Sequence, residues 1–435
     1  MKTLFKIERT HYPVIIVGGG QAGLSTSYYL HQQKIDHLVI EQSSVMNAWK
    51  TKRWDSFSLV TPNWQCNLPG HAYQGDDPHG FMVRDEIIAY LENFTQQLDT
   101  LVLEQTTVNQ VSALNLAGYQ VETSAGTLTA DHVVIAVGGY HKAIVPPMAD
   151  RIPQSICQLH SEQYKNPEQL PAGNVLVVGS GQSGAQIAED IHLSGRKVHL
   201  ATGDAPRCAR FYRGRDVVDW LADMKYYDMP VEKHPLREGV RDNTNHYVTG
   251  RDGGRDIDLR QFALDGMELF GLMSDCDGEN FLFNSDLTLN LDRADKTYNS
   301  INHRIDDYIT EHNIDAPQGG VYEPVWTPPE ERSVLKIDES GITSVIWCIG
   351  YRPDFSWLNV PVFDGNGQPQ HKRGITKQPG LYFVGLPWLY TWGSGRFSGV
   401  SKDAEFIVQH LASNRSVKNG GAIADSKSAE CLMFR

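Results

Sequence analysis

Two copies of one glycine pattern constrain this chain more than any other feature. Tyr12-Pro-Val-Ile-Ile-Val17 is a short, β-branched apolar run of the kind that forms a strand buried on both faces. Gly18-Gly-Gly20-Gln21-Ala22-Gly23 follows at once, then a helix-length segment to Gln33 and a second apolar run, His37–Ile40, that ends on Glu41. Gly18 permits the tight turn, Gly20 lets backbone N–H groups approach a pyrophosphate, and Gly23 allows close packing of helix on strand. The N-terminus of that helix favours the phosphate charge. Glu41 can accept hydrogen bonds from a ribose with free hydroxyls.

The unit then recurs 161 residues on. Asn174–Val178 is the strand, Gly179-Ser-Gly181-Gln182-Ser183-Gly184 the turn, and Lys197–Ala201 the second strand. Two βαβ units with the same anion-binding turn predict two dinucleotide sites. They differ where the acid should be, because Thr202 stands in the place of Glu41. Arg207, Arg210, Arg213 and Arg215 follow closely. A carboxylate repels a 2′-phosphate and an arginine chelates it, so Thr202 with Arg207 predicts NADP in the second unit. A solvated basic loop or an interdomain contact is the alternative. Two nicotinamides in one chain would be redundant, whereas NADPH and FAD form a donor and an acceptor, which assigns FAD to the Glu41 unit.

Composition narrows the setting. At 435 residues two domains are expected. A net charge of −13 disfavours nucleic acid and anionic membrane surfaces as partners. Nothing approaches about 18 consecutive apolar residues, and Met1–Arg9 has no apolar stretch of a secretion signal. Six scattered cysteines without a C-x-x-C pair suit a reducing compartment and argue against zinc or a redox disulfide, and no metal is expected. Cys431 sits one place too early for prenylation. The chain reads as cytoplasmic, its oligomeric state undetermined.

The remaining segments complete an α/β plan. Gln42–Gly70 is a Trp- and Pro-rich loop able to cover an aromatic cofactor ring, or simply packed as a loop. Val83–Leu98 reads as a helix, with Ile87, Ile88, Leu91 and Phe94 on one face. Residues 108–137 read as a β-meander running into a buried strand closed by Gly138. Buried strands also end at Gly350 and Gly385, and a helix is expected over Val400–Leu411, with a frayed polar tail after Ser413. Short helices are expected near Val217–Met224 and Asn302–His312. The expected architecture is two Rossmann-like domains. An FAD domain comprises residues 1–166 and 335–435, and an NADP domain, 167–334, is inserted into it with an extra helical and loop region at 206–330. The strands ending at Gly350 and Gly385 are both expected to complete the FAD domain, and Gly138 and Gly385 to line its cofactor.

Both glycine motifs, with Arg53-Trp-Asp-Ser56, Cys348-Ile-Gly-Tyr-Arg-Pro353 and Gly380–Gly385, resemble the class B flavin-containing monooxygenases over nearly the whole chain. Leu159–Tyr164, Thr249-Gly-Arg-Asp-Gly-Gly-Arg255 and Leu386–Tyr390 are similar to a subfamily of bacterial flavin-dependent oxidoreductases encoded beside a nitrilase. The family fingerprint matches at His160 and Tyr164 and departs at Gln154 and Ile156. Trp49 fits the flavin-loop Trp, and Val60, two residues before Pro62, stands where the family has Asn. The resemblance implies an NADPH-dependent monooxygenase that uses O2 and a flavin C4a-(hydro)peroxide on a small organic molecule, with little side-chain chemistry and no identified catalytic residue. His160 is expected as a structural linker. The rivals are an FAD-dependent NAD(P)H oxidoreductase with a non-oxygen acceptor, and a non-catalytic redox or nucleotide sensor.

Overall fold

The computed structural model describes residues 1–4, 6–7 and 9–420. Two parallel sheets organise it. The first has eleven strands among the described residues, and its parallel core runs in the order Lys2–Leu4, Leu101–Leu103, His37–Ile40, His11–Val17, Gly126–Ile135, Leu381–Phe383. Val14, Ile15, Ile16, Val39, Val133 and Val134 are fully buried, which is why these strands are continuous β-branched runs. The expected meander is present, with Val108–Ala113 and Tyr119–Thr123 pairing antiparallel and leading into Gly126–Ile135. Helices Gln21–Gln32 and Val400–Gly420 pack together on one face of this sheet.

The second sheet is all parallel, in the order Cys157–His160, Ile342–Trp347, Asn174–Val178, Val198–Ala201, Glu268–Phe270. Its composition corrects the expected domain boundary. Strand Ile342–Trp347, which ends just before Gly350, pairs with Cys157–His160 and Asn174–Val178 and not with the first sheet. Cys157–His160 likewise leaves the first unit. The second unit therefore begins before residue 157 and runs through residue 347, and only the strand ending near Gly385 returns to the first sheet.

The chain crosses between the units at two places that are themselves paired. Lys142–Ala143 on the way out lies antiparallel to Tyr351–Arg352 on the way back. A two-stranded connection of this kind fixes the mutual orientation of the units better than two separate loops.

Helix Arg84–Gln96 falls where the periodicity puts it, and the expected short helix at Asn302–His312 is the end of a longer one, Leu287–Glu311. The last helix continues beyond Ser413 to Gly420. The rest of the expected tail, with Cys431, lies outside the described residues.

Candidate functional site

The two glycine turns are built alike, atom for atom in several places. Gly18 N donates to Ile40 O at 2.8 Å and Gly179 N to Ala201 O at 2.9 Å. Gly18 has φ +109° and Gly179 φ +101°, a region that costs any residue with a Cβ. A Cβ on Gly23 would collide with the Gly18 carbonyl, and one on Gly184 with the Gly179 carbonyl. A Cβ on Gly20, by contrast, would meet nothing within 4 Å. Gly20 therefore faces open space where the backbone can approach a phosphate group.

The register also makes Glu41 and Thr202 equivalent. Glu41 N donates to Leu103 O and Thr202 N to Phe270 O, both at 2.9 Å. Their side chains behave differently. Glu41 curls back over the first turn, Oε2 accepting from Gly19 N at 2.7 Å and Oε1 from Ser43 N at 2.8 Å. Burial raises its pKa against those two N–H donors. Each carboxylate oxygen retains a second lone pair for a hydroxyl donor. Thr202 is buried, its Oγ1 donating to Phe270 O at 2.8 Å, so it presents no group of its own to a ribose.

The other expected first-unit residues gather around the Gly18 turn. Trp49 Nε1 donates to Gln21 Oε1 at 3.0 Å, and Gln21 Nε2 donates to Gly395 O at 3.3 Å. Gly385 lies so close to Ala22 that a Cβ would not fit there. Gly138, at φ +72°, follows the strand that runs alongside His11–Val17, and its carbonyl contacts His141 Nε2 at 3.0 Å. In the second unit Gly181, Gln182 and Ser183 open the helix Gln182–Leu193, and Gln182 Nε2 donates to Val248 O at 2.7 Å.

Arg207 does not join them. It is 2 % exposed, lies 3.1 Å from Asp258 and 3.3 Å from Asp295, and is enclosed by the rings of Tyr298 and Tyr322. The rest of the run is also committed: Arg210 to Asp216, Arg213 to Asp306 and Arg215 to Asp223. These arginines are internal ion pairs and not a phosphate clamp, which corrects that expectation. The exposed guanidinium brought to the segment just past Thr202 is Arg293, 3.2 Å from Asp204.

His160 and Val60 have structural partners. His160 Nε2 contacts Gly350 O at 3.1 Å, its ring stands edge-on to Tyr351, and burial lowers its pKa. The Val60 carbonyl accepts from Arg210 Nη1 at 2.7 Å.

Sequence reasoning missed the segment that joins the turns. Thr244 lies against Gly181, and the neighbouring Asn245 Oδ1 accepts from Arg396 Nη2 at 2.8 Å. Arg396 follows Gly395, which accepts from Gln21. One short path, Gln21–Gly395–Arg396–Asn245–Thr244–Gly181, thus connects the two turns. The legible part of this signal was the glutamine that follows the second glycine in both motifs.

The model of the pyridine nucleotide-disulphide oxidoreductase family matches residues 15–223. The oxidoreductase CzcO of Bacillus subtilis (strain 168) is 30 % identical over 405 residues, 92 % of this chain and 99 % of that protein. Among solved structures, a flavin monooxygenase from Stenotrophomonas maltophilia, in a variant form, superposes with a TM-score of 0.62 at 20 % identity, covering 94 % of this chain and all of the other. A cadaverine monooxygenase from Erwinia amylovora, solved with FAD, has a TM-score of 0.62 at 15 % identity over 98 % and 99 % of the two chains. The fold and the paired turns define a two-dinucleotide flavoprotein-type oxidoreductase. Within that class, the chain belongs to the CzcO-like oxidoreductases.

Proposed function

We propose that this chain is an FAD- and NADPH-dependent monooxygenase that acts on a small organic molecule with O2. The observation that carries the reading is the path from Gln21 to Gly181, which links the two glycine turns through a few contacting residues. FAD is held by Gly18, Gly20, Gln21, Ala22, Gly23 and Glu41, with Trp49, Gly138 and Gly385 around it. NADPH is held by Gly179, Gly181, Gln182, Ser183 and Gly184. The residues fit such groups: Gly20 leaves room for a phosphate, and Glu41 has acceptor capacity to spare beside it. When bound, the pair supplies hydride transfer and oxygen chemistry. The protein contributes position and exclusion of water.

The cysteines support oxygen over a thiol acceptor. All five described cysteines are free, Cys66 and Cys348 are held as protonated thiols by burial, and the sequence has no C-x-x-C relay. The two solved structures described above are monooxygenases by name. Free thiols of this kind also suit the cytoplasm. No helix among the described residues is long and apolar enough to cross a membrane.

The test is direct. The purified protein is expected to release FAD and not FMN on denaturation, and to oxidise NADPH with uptake of O2. A colourless protein that neither takes up FAD nor consumes NADPH would remove the proposal.

A further inference from the structure

The two glycine turns match in their backbone and differ in what stands over them. The place beside Gly20 is open, whereas the equivalent place beside Gly181 is filled: a Cβ there would lie 3.2 Å from Thr244 Cγ2. The second glycine of such a turn serves to admit a pyrophosphate against the backbone, and a phosphate is larger than the single carbon a Cβ would add. A dinucleotide phosphate therefore reaches Gly181 only after Thr244 has moved.

Thr244 lies in a crossing between the units. Upstream, residues 226–241 are docked on the first unit: Lys402 Nζ donates to Asp228 Oδ1 at 3.0 Å, Val231 N to Tyr390 O at 2.7 Å and Arg241 Nε to Trp388 O at 3.2 Å. Val231 and Val240 pack with Trp388 in one small apolar cluster. Trp388 has φ +50°, a region that a bulky side chain rarely adopts, so this docking holds a strained turn. Downstream, Tyr247 N donates to Pro206 O at 2.9 Å. Val248 O accepts from Gln182 and Gln186, both on the helix of the second turn. Residues 242–245, between these anchors, are exposed. Asn245 Oδ1, accepting from Arg396 Nη2 at 2.8 Å, ties the crossing back to the first unit.

We propose that residues 242–246 are a gate over the second turn, closed in this structure by Thr244 and Asn245, which lifts before NADPH can occupy Gly181. This gate rests on the two-dinucleotide reading above and adds its regulation. The crossing is short, exposed and outside both sheets, so its movement disturbs neither core. The anchors on either side stay in place and return it to the same position. A shift of the upstream arm relieves the strain at Trp388, which lowers the cost of opening. With the closed form predominant, the apparent dissociation constant for the cofactor is the intrinsic one divided by the open fraction. Whatever weakens the closed form then tightens cofactor binding. If Thr244 and Asn245 were instead ligands of the cofactor, the same changes would weaken it.

The experiment titrates the FAD-loaded protein with NADP⁺ by calorimetry. Thr244→Ser removes Cγ2 and keeps the hydroxyl, and Asn245→Ala removes the acceptor that holds Arg396. Each is expected to tighten NADP⁺ binding about three-fold or more, with flavin content unchanged. Thr244→Val keeps a covering methyl and is expected to stay within about two-fold of the parent. Trypsin supplies a second readout. NADP⁺ is expected to speed cleavage after Arg241, which adjoins the crossing and is held on Trp388 while it is closed. Serine or alanine variants that bind NADP⁺ no more tightly, a larger loss in Thr244→Val, or an Arg241 site that NADP⁺ leaves unchanged or protects would overturn the gate. Flavin reduction by NADPH in the parent protein tests the underlying reading separately. Reduction without any gain in the variants removes the gate alone, and a parent that neither binds NADP⁺ nor is reduced removes both.

Discussion

At the scale of single residues, the contrast between Glu41 and Thr202 carries the proposed allocation of the two dinucleotides. Both occupy the residue after the second strand, yet only Glu41 offers an acceptor toward the turn. Glu41→Arg is expected to lower flavin content severalfold after gel filtration, since a cation there would remove the ribose acceptor; undiminished flavin would contradict the assignment. The arginines were not legible from sequence. Arg207 lies close to Thr202 along the chain, but its partners Asp258 and Asp295 are 51 and 88 residues away, and spacing alone cannot show such pairs. Arg207→Ala would leave Asp258 without its cation and Asp295 with Arg260 alone. The expected result is a loss of about 3–5 kcal/mol of stability, seen as a lower Tm, and not a change in cofactor choice. Arg293→Ala acts at an exposed position and should cost only a few-fold in KM for NADPH, with NADH nearly unchanged. An equal loss for both cofactors would exclude Arg293 from the 2′-phosphate site.

At the scale of elements, the strands that frame each glycine turn were legible because burial on both faces forces continuous β-branched runs. Their allocation to sheets was not. Ile342–Trp347 and Leu381–Phe383 are both short apolar strands, and nothing in either names the neighbour it pairs with. The segment Thr249–Arg255 also acquires its meaning only in three dimensions. Arg251 pairs with Asp190 at 2.8 Å and Arg255 with Glu189 at 2.5 Å, on the helix that starts at the second turn. Asp190 further accepts from Ser56 at 2.6 Å, in the loop of the first unit, and from Tyr164 at 2.7 Å. This network ties the helix of one unit to a loop of the other. Asp190→Ala strands three donors and is expected to cost about 3–5 kcal/mol. Limited proteolysis should then cut near residues 249–255, and an unchanged digestion pattern would argue against a clamp.

At the scale of the whole molecule, acid should weaken the fold before it removes the carboxylate pairs. Burial holds His199 down to about 4 and His371 also to about 4, against about 6.5 in an unfolded chain. The unfolded state then binds more protons in this window, so the stabilisation is complete above about pH 6.5 and is lost as pH falls toward 4. Glu268 adds a later loss. Burial pushes it up, but Lys197, Arg332 and His199 outweigh that and hold it at about 2, so its contribution declines only below about pH 4.5. The Tm is expected to drop between pH 6.5 and 4, and a flat Tm across that range would contradict the buried, neutral histidines.

The central claim is that two joined turns make one working pair of cofactors that delivers electrons to oxygen. Rapid mixing tests it most directly. The FAD-loaded protein is reduced anaerobically with one equivalent of NADPH and then mixed with O2 in a stopped-flow spectrometer. The account predicts stoichiometric bleaching of the flavin by NADPH, followed by reoxidation in two phases, with a transient blue-shifted from oxidised flavin that persists while NADP⁺ stays bound. Single-phase reoxidation with one equivalent of hydrogen peroxide, the same with and without NADP⁺, would contradict it.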